Sequence, residues 1–256
     1  MEVSKPAVAC VVIAILLAAG LLLTATSNQH LFVSSAADPD EVDVTPQFGN
    51  TQGPQINQQS GRSKLPSDPF PGIRKSRKGT SLDDDFFGPQ SRAEQAWLDR
   101  NGYPTKEQVE TYTTASDAAL EQAARMGDKV AEVFLNQRNL MLRKDPKAES
   151  KLLDQAARGT TYALLGMAGY YAGSKSEANP QKAYAYTRVI EMLGDQKMGL
   201  TRDFILHGQL DPLSRYQAEA YSLEIYNQVI QKRRTLLGPH APIVDPRPVT
   251  INKDGP

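Results

Sequence analysis

The feature that most constrains this chain is a helix-start signal that returns at nearly equal intervals. A capping residue followed by proline occurs at Asp145-Pro146, Asn179-Pro180 and Asp211-Pro212, with spacings of 34 and 32 residues. Asp and Asn side chains cap the first turn of a helix, and proline at the next position loses no hydrogen bond there. A further start is predicted about 31 residues before Asp145, at Thr114 with Asp117. Glycines that end helices recur at a matching interval, at Gly127, Gly159 and Gly194.

Each predicted glycine stop is followed by a second helical segment, which gives two helices per repeat. These second segments are residues 128–143, 160–173 and 195–208. Residues 119–125 (ALEQAAR) also match residues 152–158 (LLDQAAR) at an offset of 33. A single hairpin cannot bury its apolar face, but stacked hairpins can. The sequence therefore predicts an all-α fold, a short α-solenoid of helical hairpins over residues 91–238.

Two capping boxes open the predicted helical domain. Ser91 with Glu94 and Thr105 with Gln108 both place a hydroxyl three residues before a carboxylate or amide. In this motif each side chain accepts a hydrogen bond from a backbone N–H at the other position. The sequence therefore predicts two short helices ahead of the repeats.

The last predicted helix, residues 212–237, is expected to cap the end of the stack of hairpins, with one face exposed to solvent. Its apolar residues, which include Tyr216, Leu223 and Val229, are expected to pack on the preceding hairpin. Its charged residues, which include Glu219 and Arg233, are expected on the solvent side.

The best-defined repeat resembles a known family. Residues 155–173 read QAARGTTYALLGMAGYYAG, an Ala-Ala-x-Gly helix end followed by Ala163, by Tyr170 seven residues later and by Gly173 ten residues later. This pattern resembles the Sel1-like and tetratricopeptide repeats, and the start of the next repeat lies at residues 179–186. The Leu165-Gly166 pair is displaced by one residue from its place in the family's pattern. The two flanking repeats are degenerate. With them included, the resemblance covers residues 114–208. It implies a scaffold or adaptor that binds other proteins across a concave face.

The N-terminus carries an apolar run, residues 7–23, that continues without charge to residue 26. Lys5 precedes the run and acidic residues follow it, which places the N-terminus in the cytoplasm. Residues 1–27 are either an uncleaved signal anchor, spanning the membrane through residues 7–26, or a signal peptide cleaved before Asn28. The predicted location is the bacterial inner membrane facing the periplasm, or the periplasm or exterior after cleavage.

Two segments outside the predicted helices lack any helical or strand period. Residues 28–90, rich in Pro, Gly, Ser, Gln, Asn and Asp, are predicted to be a disordered linker, and residues 239–256 a flexible tail. The linker contains a basic patch that either contacts an anionic surface or partner or is solvated. Its members are Arg62, Lys64, Arg74, Lys75, Arg77 and Lys78. The acidic-aromatic segment 83–87 is either a docking motif or a part that folds back on the helical domain.

The sequence shows no constellation of residues that carries chemistry. Cys10, the only cysteine, lies inside the apolar run, and the three histidines, His30, His207 and His240, are far apart. Residues 83–85 are a hard-cation site or, on the plainer interpretation, solvated carboxylates. With 29 basic and 29 acidic residues the chain has no net field that favours nucleic acid. We therefore predict no enzyme activity, cofactor, metal or nucleic-acid partner.

Tyrosines crowd two adjacent predicted hairpins. They are either core residues at helical spacing or anchors that line a groove for a peptide, since Tyr is favoured at interfaces. On the second interpretation the candidate contacts are Tyr162, Tyr170, Tyr171, Tyr186 and Arg188. The predicted function is a non-catalytic scaffold or adaptor that binds another protein or peptide. The alternative is a helical ligand-binding protein or enzyme that holds a small molecule or glycan in the same aromatic groove.

Overall fold

The computed structural model describes residues 67–173, 179–206 and 210–248. The predicted membrane segment, most of the predicted linker and the end of the predicted tail lie outside these residues. Within them, no helix combines the length and the apolarity needed to cross a bilayer.

The described part of the chain is all-α and contains no β-strand, as the helical periods predicted. It forms nine helices: α1 (Arg92–Arg100), α2 (Lys106–Thr114), α3 (Asp117–Arg125), α4 (Lys129–Arg143), α5 (Ala148–Ala157), α6 (Tyr162–Gly173), α7 (Pro180–Met192), α8 (Lys197–Leu206) and α9 (Pro212–Leu237).

Most predicted helix starts are present, and most caps form as the sequence indicated, although the Glu94 carboxylate accepts a hydrogen bond from the N–H of Gln90 and not from that of Ser91. The Thr105 hydroxyl accepts a hydrogen bond from the backbone N–H of Gln108, whose side chain accepts one from the Thr105 N–H in return. Asn179 and Asp211 cap α7 and α9, each with proline in the first turn. The start predicted at Asp145 is wrong, because α5 begins only at Ala148. The Asp145 carboxylate instead accepts a hydrogen bond from the N–H of Lys147, which forms a separate turn before the helix.

The helices pack in chain order for most of their length. α3 packs on α4, α5 on α6 and α7 on α8, while α4 contacts α5 and α6, and α6 contacts α7. At Gly166 a side chain would overlap Gln137 of α4, so the glycine permits the close approach of α6 to that helix. The long α9 breaks the sequence of pairs, because it packs against α7 and α5. It therefore lies along the first helices of two successive pairs.

The segment before α1, which we call the N-terminal strap (residues 67–90), is packed on the helices. This differs from the disordered linker predicted through residue 90. Arg77 of the predicted basic patch is 2% exposed. Its guanidinium donates to Asp85 at 2.5 Å and to Asp99 at 2.8 Å, and to the carbonyl oxygens of Tyr103 and Pro104. The residue is neither solvated nor available to an external partner.

The acidic-aromatic segment 83–87 folds back on the helical domain, which is one of its two predicted interpretations. Phe87 is buried in the main core, with its ring 5.0 Å from that of Tyr103 and edge-on to it. The Asp85 carboxylate faces Arg77 and also accepts a hydrogen bond from the N–H of Phe87. A buried carboxylate needs such partners, so the segment is held by both packing and charge.

The segment after α9, which we call the C-terminal strap (residues 241–248), is also packed, and this differs from the flexible tail predicted from residue 239. Its backbone N–H groups at Asp245 and Arg247 donate to the carbonyl oxygens of Leu193 and Gly194. Gly194 has φ +125°, and a Cβ there would lie 2.3 Å from the carbonyl oxygen of Asp245. The glycine predicted as a helix stop thus also allows the strap to approach.

Arg247 attaches the C-terminal strap to the interior through charge. Its Nε lies 2.7 Å from Glu94 and its Nη1 3.1 Å from Asp195, and both carboxylates are fully buried. The guanidinium also lies over the ring of Trp97, 5.5 Å from its centroid. The indole N–H of Trp97 donates to the carbonyl oxygen of Asp245 at 2.7 Å. Both straps therefore converge on α1, which carries Glu94, Trp97 and the Arg77 partner Asp99.

Candidate functional site

Tyr162, the first of the predicted binding residues, is part of the core. Its ring lies 5.6 Å from that of Tyr103 and 6.2 Å from that of Phe87. Burial raises the pKa of its hydroxyl above the ordinary value for tyrosine. Tyr162 is therefore placed to pack the interior and not to contact an external molecule.

Tyr171 and Tyr186 come together, as the predicted aromatic groove requires, but their polar ends are already satisfied. Their rings are stacked 5.8 Å apart, and both hydroxyls donate to the carboxylate of Glu149 on α5. Lys182 lies over the Tyr171 ring, with Nζ 4.5 Å from the centroid. Burial, together with the Glu149 carboxylate, raises the pKa of both tyrosines above the ordinary value. The cluster joins α5, α6 and α7 to one another.

Tyr170, like Tyr171, lies at the edge of a small cavity. Its ring is 5.0 Å from that of Tyr171, and both line a shallow cavity of about 180 Å³ with Leu140, Lys144 and Glu149. Both tyrosine side chains are largely buried, so each offers only an edge to this cavity.

Arg188, the last predicted contact, is engaged by the chain's own final helix. Its guanidinium lies 3.2 Å from Glu219 on α9 and 2.8 Å from Glu191 in its own helix. The Tyr184 hydroxyl donates to the same Glu219 carboxylate at 2.5 Å. The hydrogen bond with Glu191 raises the pKa of Arg188 despite partial burial. Arg188 is thus engaged by the packing of α9 on α7.

The two faces of α9 are partly exchanged relative to the prediction. Glu219, Lys232 and Arg233, of the row expected in solvent, point to the hairpins. Lys232 pairs with Asp154 at 2.6 Å, and Arg233 donates to the carbonyl oxygen of Ala157. Val229 is buried as expected.

Three large apolar side chains in the first half of α9 are exposed instead. Leu213 is 66% exposed, Tyr216 73% and Leu223 54%, and Ala220 between them is also exposed. The intervals of three, four and three residues place all four on one line of the helix. The spacing of this row is visible in the sequence. No neighbouring residue, however, distinguishes it from the row of α9 that packs against α5 and α7.

Within the described residues, no group of three or more His, Cys, Asp or Glu is placed to hold a metal ion. No protein-family model, no characterised protein and no solved structure matches this chain.

Proposed function

We propose that this chain is a non-catalytic scaffold of Sel1-like or tetratricopeptide-like helical hairpins that binds a helical segment of a partner protein along the outer face of α9. The chain-order packing of α3 through α8 supports the repeat assignment, since each pair contacts the next. The observation that carries the binding role is the exposed row of Leu213, Tyr216, Ala220 and Leu223.

The spacing of this row favours a helix as the occupant. Intervals of three and four residues form the seam of a coiled coil, in which the side chains of one helix insert between those of another. The opposite line of α9 is already buried against α5 and α7, so the exposed row is not needed for the fold. Covering the three large side chains would contribute roughly 4 kcal/mol of apolar burial, enough to matter for a specific complex.

The proposal includes a role for the N-terminal segment that is predicted to be a signal anchor or signal peptide. Residues 7–26 would hold the scaffold at the bacterial inner membrane on the periplasmic side, or direct its export if they are cleaved. The alternative function predicted from the sequence, a small molecule or glycan in the aromatic groove, draws no support from Tyr171, Tyr186 and Arg188, which bond to Glu149 and to α9.

Site-specific photocrosslinking in native membranes tests the proposal. A photoreactive phenylalanine analogue replaces Tyr216 in the full chain, and a control replaces Glu110, an exposed residue of α2. We expect a discrete crosslinked protein from position 216 only, with the crosslink mapped to an apolar row of a helix in that protein.

The identified protein is then purified and its affinity measured for the Leu223→Ser variant. We expect binding to weaken roughly tenfold, because about 1–2 kcal/mol of apolar contact is lost. The same products from both positions, or no product from position 216, would contradict the proposal. A crosslink only to a second copy of the chain would show self-association at this face instead.

A further inference from the structure

A cavity of about 300 Å³ lies on the side of the molecule where several chain segments meet. The C-terminal end of α1, the start of α4, the turn between α5 and α6, α9 and the C-terminal strap all contribute to its wall. Among the described residues, four cationic side chains line it: Arg100, Lys129, Arg158 and Arg233. The only carboxylate among these described lining residues is that of Asp245. Such a concentration of one charge is notable in a chain whose net charge is zero.

The four cations are not fully used by protein partners within the described residues. Arg100 faces Asp245 at 3.3 Å, and Arg158 faces Glu132 at a distant 3.9 Å. The side chain of Lys129 has no ion-pair or hydrogen-bond partner in the described part of the chain.

Arg233 is the most informative of the four. Its Nη1 donates to the carbonyl oxygen of Ala157 at 3.1 Å, but its Nε is buried and meets no acceptor within the described residues. A buried donor without an acceptor is unfavourable, because it has lost its hydrogen bond to water.

Helix ends do not cancel this charge. The C-terminal ends of α1, α5 and α7 lie at the cavity, as do the N-terminal ends of α4 and α6. Each end carries about half an elementary charge, negative at a C-terminus and positive at an N-terminus, so together they offset about half of one cation. With Asp245 and Glu132 also counted, the cavity keeps a net positive charge.

We propose that this cavity binds a small organic oxyanion, a phosphate monoester or a carboxylate. Lys129 and Arg233 are its principal charge partners, since guanidinium and ammonium groups donate short, strong hydrogen bonds to such oxygens. Leu193 and Ile243 line the same cavity and form an apolar wall for the uncharged part of the ligand. Asp245 opposes the anion, and its pairing with Arg100 limits that effect. This site is separate from the outer face of α9 and does not depend on the scaffold role.

Calorimetric titration of the full chain in phosphatidylcholine nanodiscs tests the site, with phenyl phosphate and benzoate as the probes. Lys129→Met and Arg233→Met should each weaken binding about tenfold or more, because each removes a charged donor. Lys106→Met is the matched control, since Lys106 is likewise an exposed lysine at the first position of a helix, α2. Asp245→Asn should strengthen binding several-fold, because it removes the opposing charge and keeps the backbone bond from Trp97.

Nanodiscs that also contain phosphatidic acid identify the source of the anion. Unchanged phenyl phosphate binding in these discs shows a soluble ligand, and reduced binding shows that a lipid headgroup competes for the cavity. Either result supports the site if the Lys129 and Arg233 variants behave as expected and circular dichroism shows that they fold. Binding weaker than about 10 mM for both probes overturns the proposal. An equal loss in the Lys106 control, or no gain in the Asp245 variant, also overturns it.

Discussion

Replacing Arg247 by methionine should remove a large part of the stability of the fold. Methionine keeps an apolar stem over Trp97 but leaves Glu94 and Asp195 buried with one cation fewer. Glu94 would retain Lys197 at 2.5 Å, and Asp195 would retain the Tyr103 hydroxyl at 2.7 Å. Removing one partner of a buried ion pair costs about 3–5 kcal/mol, and these remaining donors place the expected loss at about 3 kcal/mol.

Thermal unfolding of the purified full-length protein, followed by far-UV circular dichroism, measures this loss. For a domain of this size 1 kcal/mol lowers the Tm by about 2–4 °C, so Arg247→Met should lower it by about 6–12 °C. Arg234→Met is the control, since Arg234 lies exposed on α9 and its side chain meets no partner within the described residues. The control should leave the Tm nearly unchanged. A loss at Arg247 no larger than that of the control would refute the ion-pair argument.

The effect should also depend on pH, with a defined sign. Burial acts to raise the pKa of Glu94, but hydrogen bonds from Lys197 and the Gln90 N–H, with the charge of Arg247, bring it below the ordinary value. A depressed folded-state pKa gives stability that is present above about pH 4.3 and is lost as the pH falls through the folded value. In the Arg247→Met variant the folded-state pKa of Glu94 rises, so ionised Glu94 contributes less to stability at pH 7 and less stability is lost on acidification. The difference in Tm between Arg247→Met and wild type should therefore be largest at pH 7 and shrink towards about pH 4. An equal difference at both pH values would assign the loss to packing on Trp97.

Two further substitutions test the packing of the straps and of the aromatic cluster. Gly194→Ala adds a Cβ that would overlap the carbonyl oxygen of Asp245, so it should displace the C-terminal strap, cost about 3 kcal/mol and change the fluorescence of the single tryptophan. Gly127→Ala is the control, because Gly127 also has a positive φ, +93°, but has open space around it. It should cost only about 1 kcal/mol and leave the tryptophan fluorescence unchanged. Equal effects at both glycines would refute the close-approach argument. Tyr186→Phe removes a hydrogen bond to Glu149 and should lower the free energy of unfolding, measured in urea, by about 1–2 kcal/mol. It should not affect the binding of a partner at α9. A loss of binding without a loss of stability would restore Tyr186 as a contact residue.

The helices were predictable because their starts and stops depend on residues close in sequence. The Thr105 capping box and the caps at Asn179 and Asp211 involve partners two or three residues away. The helix start predicted at Asp145 was wrong because of another local contact. The Asp145 carboxylate accepts a hydrogen bond from the N–H of Lys147 and so caps a separate turn before α5.

The straps were not predictable because their partners are distant in sequence. Arg77 bonds to residues 8 to 27 positions away, and Arg247 to residues 52 to 160 positions away. In sequence, each arginine stands in a Pro-rich, polar segment that has the composition of a disordered region. Neither composition nor periodicity indicates that a single buried guanidinium will hold such a segment.

The surroundings of the predicted binding residues were not predictable for a related reason. The tyrosines lie on α6 and α7, and the last helix was expected to pack on the hairpin before it, but no pattern showed that α9 would lie along both α7 and α5. Around α9 apolar and polar residues are mixed, so helical spacing does not select which line packs. The line that packs, which includes Ala218, Ile225 and Val229, meets helices that are distant in sequence, and charge pairs such as Glu219 with Arg188 form only in the assembled fold.

The convergence of both straps on α1 changes where this protein should be cut for study. A fragment that starts at residue 91, where the helices begin, would leave Asp99 without Arg77 and the core without Phe87. A fragment that stops at residue 238 would leave Glu94 without Arg247. A fragment of residues 67–248 keeps both arginines and Phe87, and its first residues also hold α3 and α2, since the Ser67 carbonyl oxygen accepts a hydrogen bond from Gln122 and the Phe70 ring lies 4.9 Å from that of Tyr112.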